Sequence, residues 1–146
     1  MQAAANKDLV RRYYEALWNR WDFALADELI AESIEFRGSL GTSVYGREGF
    51  KEYMRSVRAA FPDFHNRIEE LIAENDRVAA RLTYTGTHQG EVLGIVPTGR
   101  RVSYAGVALF RVVENRIAAV WVLGDVHGLV QQLRGGVTAS AGMPPR

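Results

Sequence analysis

Val78-Ala79-Ala80-Arg81-Leu82-Thr83-Tyr84-Thr85-Gly86-Thr87-His88 sorts its side chains alternately onto two faces, and this stretch decides the fold class. Val78, Ala80, Leu82, Tyr84, Gly86 and His88 share one face, while Arg81, Thr83 and Thr85 take the other. A period of two marks a strand with one face buried. Upstream, Asn75-Asp76 is a tight turn, and residues 64–74 read as the antiparallel partner. Downstream, residues 89–100 form a connection with turn signals at Gly90, Gly94, Pro97 and Gly99. A third strand, 101–113, sets Val102, Tyr104, Gly106, Ala108 and Phe110 on one face. Glu114-Asn115 then turns the chain into an apolar strand from Arg116 that delivers Asp125 at its end, ahead of an amphipathic helix at Leu129–Leu133.

Before Pro62 the period is helical. Residues 6–19 read as an amphipathic helix with Asn6 as N-cap and Leu9, Tyr13 and Leu17 on its apolar stripe. Asp22 is placed to cap a shorter helix carrying Phe23, Ala26, Leu29 and Ile30. A short extended piece, Ser33–Arg37, runs into the turn Gly38-Ser39-Leu40-Gly41. The third helix, 47–61, buries Phe50, Tyr53, Met54, Val57 and Phe61 until Pro62 stops it. Three helices followed by consecutive antiparallel strands predict an α+β domain with helices on one face of the sheet. A strongly curved sheet of this kind encloses a pocket between its concave face and the helices. The expected organisation is one domain over 1–134 and a disordered Gly/Ala/Pro-rich tail over 135–146.

The totals narrow the function classes. The chain has 146 residues and a formal charge of +1, so no strong field draws it to nucleic acid or an anionic membrane. Cysteine is absent, which removes disulfides, thiolate catalysis and Cys-based metal sites. No apolar run has the length of a membrane span, and the expected location is cytoplasmic. The three histidines, His65, His88 and His127, stand singly without ligand spacing, so no metal site is expected.

Asp125 is the first candidate for chemistry. A carboxylate there either caps the helix that follows or lies at the mouth of a cavity. In a cavity its proton affinity rises, and it serves as an acid or base near neutral pH. His88 and His127 are candidate donors to a developing oxyanion, or else loop histidines bonded to backbone. His127 points the same way as Asp125 if the chain stays extended. Trp18, Phe36, Tyr84, Tyr104, Phe110 and Trp121 are candidates for the pocket wall, with plain core as the alternative for each. Gly86, Gly106 and Ala108 either leave room for a ligand or relieve crowding where the sheet bends.

Five strings stand in a familiar order: Asn6-Lys7-Asp8-Leu9-Val10-Arg11-Arg12-Tyr13-Tyr14, Phe61-Pro62-Asp63, Gly86-Thr87-His88-Gln89-Gly90, Pro97-Thr98-Gly99-Arg100-Arg101-Val102, and Asp125 before Gln132-Leu133. Together they resemble the SnoaL-like polyketide cyclase family, part of the nuclear-transport-factor-like (cystatin-like) superfamily. The resemblance implies a cone-shaped α+β barrel with three N-terminal helices around an apolar pocket, in a homodimer or larger assembly. It implies an intramolecular aldol ring closure without metal or organic cofactor, in which the position of Asp125 supplies the acid/base. Two positions depart from the pattern: Ala108 stands where the cyclases carry a helper His, and Gly106 where a Gln is expected. Ile34-Glu35-Phe36-Arg37 also lacks a His found in many members.

The sequence therefore predicts a cofactor-independent acid/base enzyme acting on an apolar, carbonyl-bearing small molecule such as a polyketide. The alternatives are a non-catalytic binding or dimerisation module on the same fold, or a related hydroxylase or isomerase. An epoxide hydrolase would need an inward Asp-Arg-Asp set, and Arg81 has the outward parity.

Overall fold

The structure, a computed structural model, describes residues 2–135. Its elements are α1 (Gln2–Arg12), a π-helical turn (Tyr13–Trp18), a 3₁₀ turn (Phe23–Leu25) running into α2 (Ala26–Leu29), β1 (Ile30–Arg37), β2 (Ser43–Tyr45), α3 (Arg47–Ala60), β3 (His65–Glu74), β4 (Arg77–Thr87), β5 (Arg101–Val113), β6 (Arg116–Gly124) and α4 (Val126–Leu133). They form a mixed α+β fold around one curved six-stranded sheet, in the order β2-β1-β6-β5-β4-β3.

The alternation in the decisive strand holds throughout. Val78, Ala80, Leu82, Tyr84, Gly86 and His88 are all buried, and so are Val102, Tyr104, Gly106, Ala108 and Phe110 on β5. The two strands pair antiparallel with Tyr84 opposite Tyr104 and Leu82 opposite Gly106, so their buried faces coincide. α3 buries Phe50, Tyr53, Met54 and Val57 and lies against β1 and β2, with Phe50 and Tyr53 meeting Phe36 of β1 at 5.0 Å. The N-terminal helix adds Tyr13, whose ring meets Phe110 edge-on at 5.2 Å and Phe50 at 6.0 Å.

Several boundaries differ from expectation, each for a physical reason. Asn6 caps nothing: it lies inside α1, buried, and its Nδ2 donates to the Asn75 carbonyl at 3.1 Å. That bond holds the β3–β4 turn, where Asn75 takes a left-handed φ of 54°. The helix predicted over 6–19 starts four residues earlier and loosens into a π turn, closed by the Asn19 N–H donating to the Tyr14 carbonyl. Asp22 precedes only the 3₁₀ turn and makes no side-chain cap bond. Ile30, read as helical, opens β1 and pairs with Ile117. β2 escaped prediction because three residues are too few to show a period.

The closed barrel is corrected as well. β2 and β3 are free edges, so the sheet is curved but open. The helical segments before Pro62 are not three regular α-helices, since one ends in a π turn and one is a 3₁₀–α piece. The β1–β6 pair is parallel, and the other pairs are antiparallel. The predicted tail lies outside the described residues apart from Gly135. Among the described residues, no helix is long and apolar enough to cross a membrane.

Candidate active site

Three of the singled-out strings converge on one end of the sheet. Asp63, after the stop of α3, accepts the Thr87 N–H at 2.6 Å and the Thr87 hydroxyl at 2.7 Å, with Arg101 at 3.3 Å. Burial pushes the Asp63 carboxyl up, but the Thr87 N–H, the Thr87 hydroxyl and the Arg101 guanidinium together outweigh it and hold the carboxyl below its usual range. His88 clamps the long connection: its N–H donates to the Arg100 carbonyl, and the Gly99 N–H donates to its carbonyl, both at 2.9 Å. Its Nδ1 takes the Thr98 N–H at 3.1 Å and lies 3.0 Å from the Thr98 hydroxyl. The strings Gly86–Gly90 and Pro97–Val102 are thus two halves of one knot.

Beside this knot lies an aromatic cavity between the inner sheet face, the π turn and α3. Four of the predicted wall residues line it: Trp18, Phe36, Tyr84 and Tyr104. Tyr13, Tyr14, Tyr53, Phe61, Phe64 and Val122 complete most of the apolar wall, and Ser39 and Asn66 add polar atoms. The π turn explains three of these, because its wider coil brings Tyr13, Tyr14 and Trp18 inward together. A helical period of 3.6 gave no sign of it. The enclosed void is only about 30 Å³, room for one or two waters, whereas ligand pockets run to roughly several hundred Å³. A ring-bearing ligand must therefore displace side chains to enter.

The hydroxyls set the chemistry. Ser39 Oγ and the Tyr104 hydroxyl are hydrogen-bonded at 2.9 Å. Burial pushes the Tyr104 phenol well above its usual range despite that bond. Burial likewise raises Tyr13, Tyr14 and Tyr84, with neighbouring tyrosines adding to it. Tyr53 is also raised by burial, against lowering contacts from the Leu40 backbone, Ser39 and Arg37. These phenols stay protonated, so the cavity presents neutral O–H donors in a low-dielectric wall, the arrangement that stabilises an oxyanion.

Asp125 is exposed and does not line the enclosed void. It is the N-cap of α4, its Oδ1 accepting the Gly128 N–H at 2.9 Å. Of the two placements the sequence left open, the helix cap is the one seen: the strand ends at Gly124, and the chain turns outward into α4. Its position is still close to the cavity wall. A Cβ built on Gly124 would stand 2.9 Å from the Ser39 carbonyl and 3.2 Å from Tyr104 Cε2. The Asp125 N–H donates to the Ala105 carbonyl at 2.9 Å. Asp125 therefore follows directly on Gly124, the residue that backs onto the Ser39–Tyr104 corner.

Other candidates fall elsewhere. His127 is exposed on the first turn of α4, because the chain becomes helical at Val126 instead of staying extended. Trp121 is no wall residue: with Val120 and Val122 inward, the strand period turns it to the outer face, 45% exposed. There the Arg37 guanidinium lies over its ring at 5.3 Å. Phe110 is core, edge-on to Tyr13 and Tyr14, and does not line the cavity. His88 is fully buried but is separated from the void, with the cavity-lining Phe61 ring 5.7 Å away. His65 is exposed.

The comparisons with known proteins agree with the strings. Residues 8–133 match the SnoaL-like polyketide cyclase family. The chain is 35% identical over 94 residues to the aklanonic acid methyl ester cyclase AcmA of Streptomyces galilaeus, covering 63% of this chain and 65% of that one. It is 34% identical over 90 residues to the nogalonic acid methyl ester cyclase of Streptomyces nogalater, covering 60% and 66%. Each match thus spans just under two thirds of the cyclase's length. The crystal structure of AclR from Streptomyces galilaeus, a candidate hydroxylase, superposes with a TM-score of 0.77 at 33% identity, covering 91% of this chain and 83% of that one. With 126 consecutive residues inside the family match, the chain belongs to the SnoaL-like polyketide cyclase family.

Proposed function

We propose that this protein closes a ring of a carbonyl-bearing polyketide by intramolecular aldol addition, using acid/base chemistry without a metal or organic cofactor. One observation supports the reading: Gly124, the residue before Asp125, backs onto the Ser39 backbone and the Tyr104 ring edge, the two residues whose hydroxyls are hydrogen-bonded in the polar corner of the cavity, and in this reading the Asp125 carboxylate acts from that side. A substrate seated with its apolar body in the cavity covers that side and desolvates the carboxylate. Asp125 then removes a proton from a carbon flanked by two carbonyls, already acidified by them. Protonated tyrosines of the wall, Tyr104 first, donate to the enolate oxygen as it forms. The enolate carbon attacks the second carbonyl, and the alkoxide takes back the proton from Asp125, leaving no net charge or proton change. The similarity to two ester cyclases, AcmA among them, names the substrates to try: aklanonic acid methyl ester and nogalonic acid methyl ester.

The test is incubation of the purified chain with each ester and identification of the product by mass and NMR. The reading expects an isomer of unchanged mass carrying one new carbon–carbon bond. Unchanged substrate contradicts it, and a product heavier by one oxygen would favour chemistry of the kind suggested for AclR.

The assembly we propose is a homodimer through the outer face of the sheet. Val107 faces Leu123 across the β5–β6 pair, and Leu109 faces Trp121. All four are 43–55% exposed, so these apolar side chains adjoin on one face instead of being scattered singly over the surface.

A further inference from the structure

His88 carries the one buried side-chain polar atom among the described residues that finds no hydrogen-bond partner, its Nε2. The ring's other nitrogen fixes the tautomer. Nδ1 receives the Thr98 N–H at 3.1 Å and faces the Thr98 hydroxyl at 3.0 Å, so the ring proton is on Nε2. The result is an N–H donor in a fully buried residue, left unpaired where an unmade bond is costly. Nothing in the proposed ring closure uses it. The strap around it is tied to α3. Gln89 and Gly90 N–H groups both donate to the Ala60 carbonyl at the end of α3, and a Cβ on Gly90 would come within 2.3 Å of the Ala59 carbonyl oxygen.

The nearest wall of the cavity is Phe61. Its ring stands 5.7 Å from the His88 ring, tilted by 37°, and it lines the aromatic void. Gly86, between Tyr84 and His88 on the same strand face, is the surface against which Phe61 rests: a Cβ there would lie 3.1 Å from Phe61 Cδ1. The void as it stands, about 30 Å³, admits no aryl ring. One of its aromatic walls must turn when a ligand enters, and Phe61 is the wall whose ring stands beside the ring that carries the unpaired donor.

We infer that His88 Nε2–H is a ligand-binding donor screened by Phe61: an aryl ketone entering the cavity turns Phe61 aside and accepts this hydrogen bond through its carbonyl oxygen. The inference deepens the proposed function, resting on its small-molecule reading of the cavity, and it assigns a specificity for carbonyl oxygen to a residue remote from Asp125. His88 here is a binding residue, and it moves no proton.

The test uses the full chain labelled with ¹⁵N-histidine and two probes of the same shape, acetophenone and α-methylstyrene, in which a methylene replaces the carbonyl oxygen. With three histidines in the chain, His65 and His127 serve as exposed controls. Acetophenone is expected to move the His88 Nε2–H resonance downfield and to bind about tenfold more tightly than α-methylstyrene, which leaves that resonance in place. In His88→Asn the side-chain oxygen can still accept the Thr98 N–H while the Nε2–H donor is gone. That variant should lose the carbonyl preference and keep α-methylstyrene affinity within about twofold. An Nε2–H signal unmoved by bound acetophenone, or a carbonyl preference that survives in His88→Asn, overturns the inference. If His88→Asn does not fold, the wild-type resonance decides alone. If α-methylstyrene binds and acetophenone gains nothing, only the His88 assignment falls. If neither probe perturbs the cavity residues, the cavity reading falls and the His88 assignment with it.

Discussion

The Tyr84 ring lies across the α-carbon of Gly106: a Cβ built there would stand 2.4 Å from Cε2 and 2.9 Å from the hydroxyl. The glycine therefore makes room for a ring of its own protein, not for a ligand. Where a Gln was expected at this position, the Tyr84 ring from the adjacent strand fills the space instead, tilted 48° to the Tyr104 ring with the centroids 4.9 Å apart. Gly106→Ala is expected to push Tyr84 into the small void, costing about 1–3 kcal/mol and weakening any ligand that needs that space. Urea denaturation checks the first part and ligand titration the second. Stability equal to wild type would show that Tyr84 swings away freely.

The five buried tyrosines predict alkaline behaviour. Burial raises Tyr13, Tyr14, Tyr53, Tyr84 and Tyr104 above the ordinary phenol value in the folded state. Their contribution to stability is therefore complete below the unfolded value of about 10 and is lost as pH rises beyond it. In a spectrophotometric titration, tyrosinate absorbance from these residues should rise only together with loss of near-ultraviolet circular dichroism. Ionisation of all five with the fold intact would contradict the buried placement.

Asp63 predicts the acid side. Its carboxyl is held below the usual range, so its contribution is present above the unfolded value of about 4 and fades as pH falls through the lower folded value. Asp63→Asn should be less stable than wild type at neutral pH, and the two should converge as the solution is acidified. The side chain is 47% exposed, so solvent screening keeps the difference small. Chemical denaturation at stepped pH values measures it. A gap that stays constant down to strongly acid pH would dismiss the charge as its cause.

The outer face predicts the state of assembly. Leu123, 55% exposed and opposite Val107, has no role in the cavity. Leu123→Asp should shift sedimentation from dimer to monomer with the fold preserved. A wild-type chain that sediments as a monomer at tens of micromolar would remove the dimer proposal.

How much of this was legible in the sequence follows from how locally each feature is encoded. The inner faces of β4 and β5 were, because a period of two over eleven residues admits one register. Trp18, Phe36, Tyr84 and Tyr104 were found at the wall because they are large aromatics on inward positions. Trp121 was misplaced because its type suggested a wall while its strand parity pointed out. Tyr13, Tyr53 and Phe61 were missed as wall residues, since a helix period marks them as core and does not show where a void remains, and Tyr14 fell off the period and is turned inward only by the π turn. The π turn has no local signature. Asp125 was correctly set at the end of its strand, but only the backbone turn after Gly124 shows that it meets solvent. His88 was identified as inward, yet its unpaired nitrogen depends on Thr98, ten residues away, whose approach no spacing rule foretells.

The central claim is that Asp125 is the acid/base and not merely the cap of α4. The two roles separate by substitution. Asp125→Asn keeps a side-chain oxygen for the Gly128 N–H, and Asn caps helices as well as Asp. Asp125→Ala removes the cap at a cost of about 1 kcal/mol. The most direct measurement is single-turnover ring closure of an aklanonic-type methyl ester by Asp125→Asn, with thermal stability recorded on the same sample. The account predicts a rate lower by about 10²–10⁴ at wild-type stability. Turnover within about twofold of wild type would contradict it and leave Asp125 as a helix cap alone.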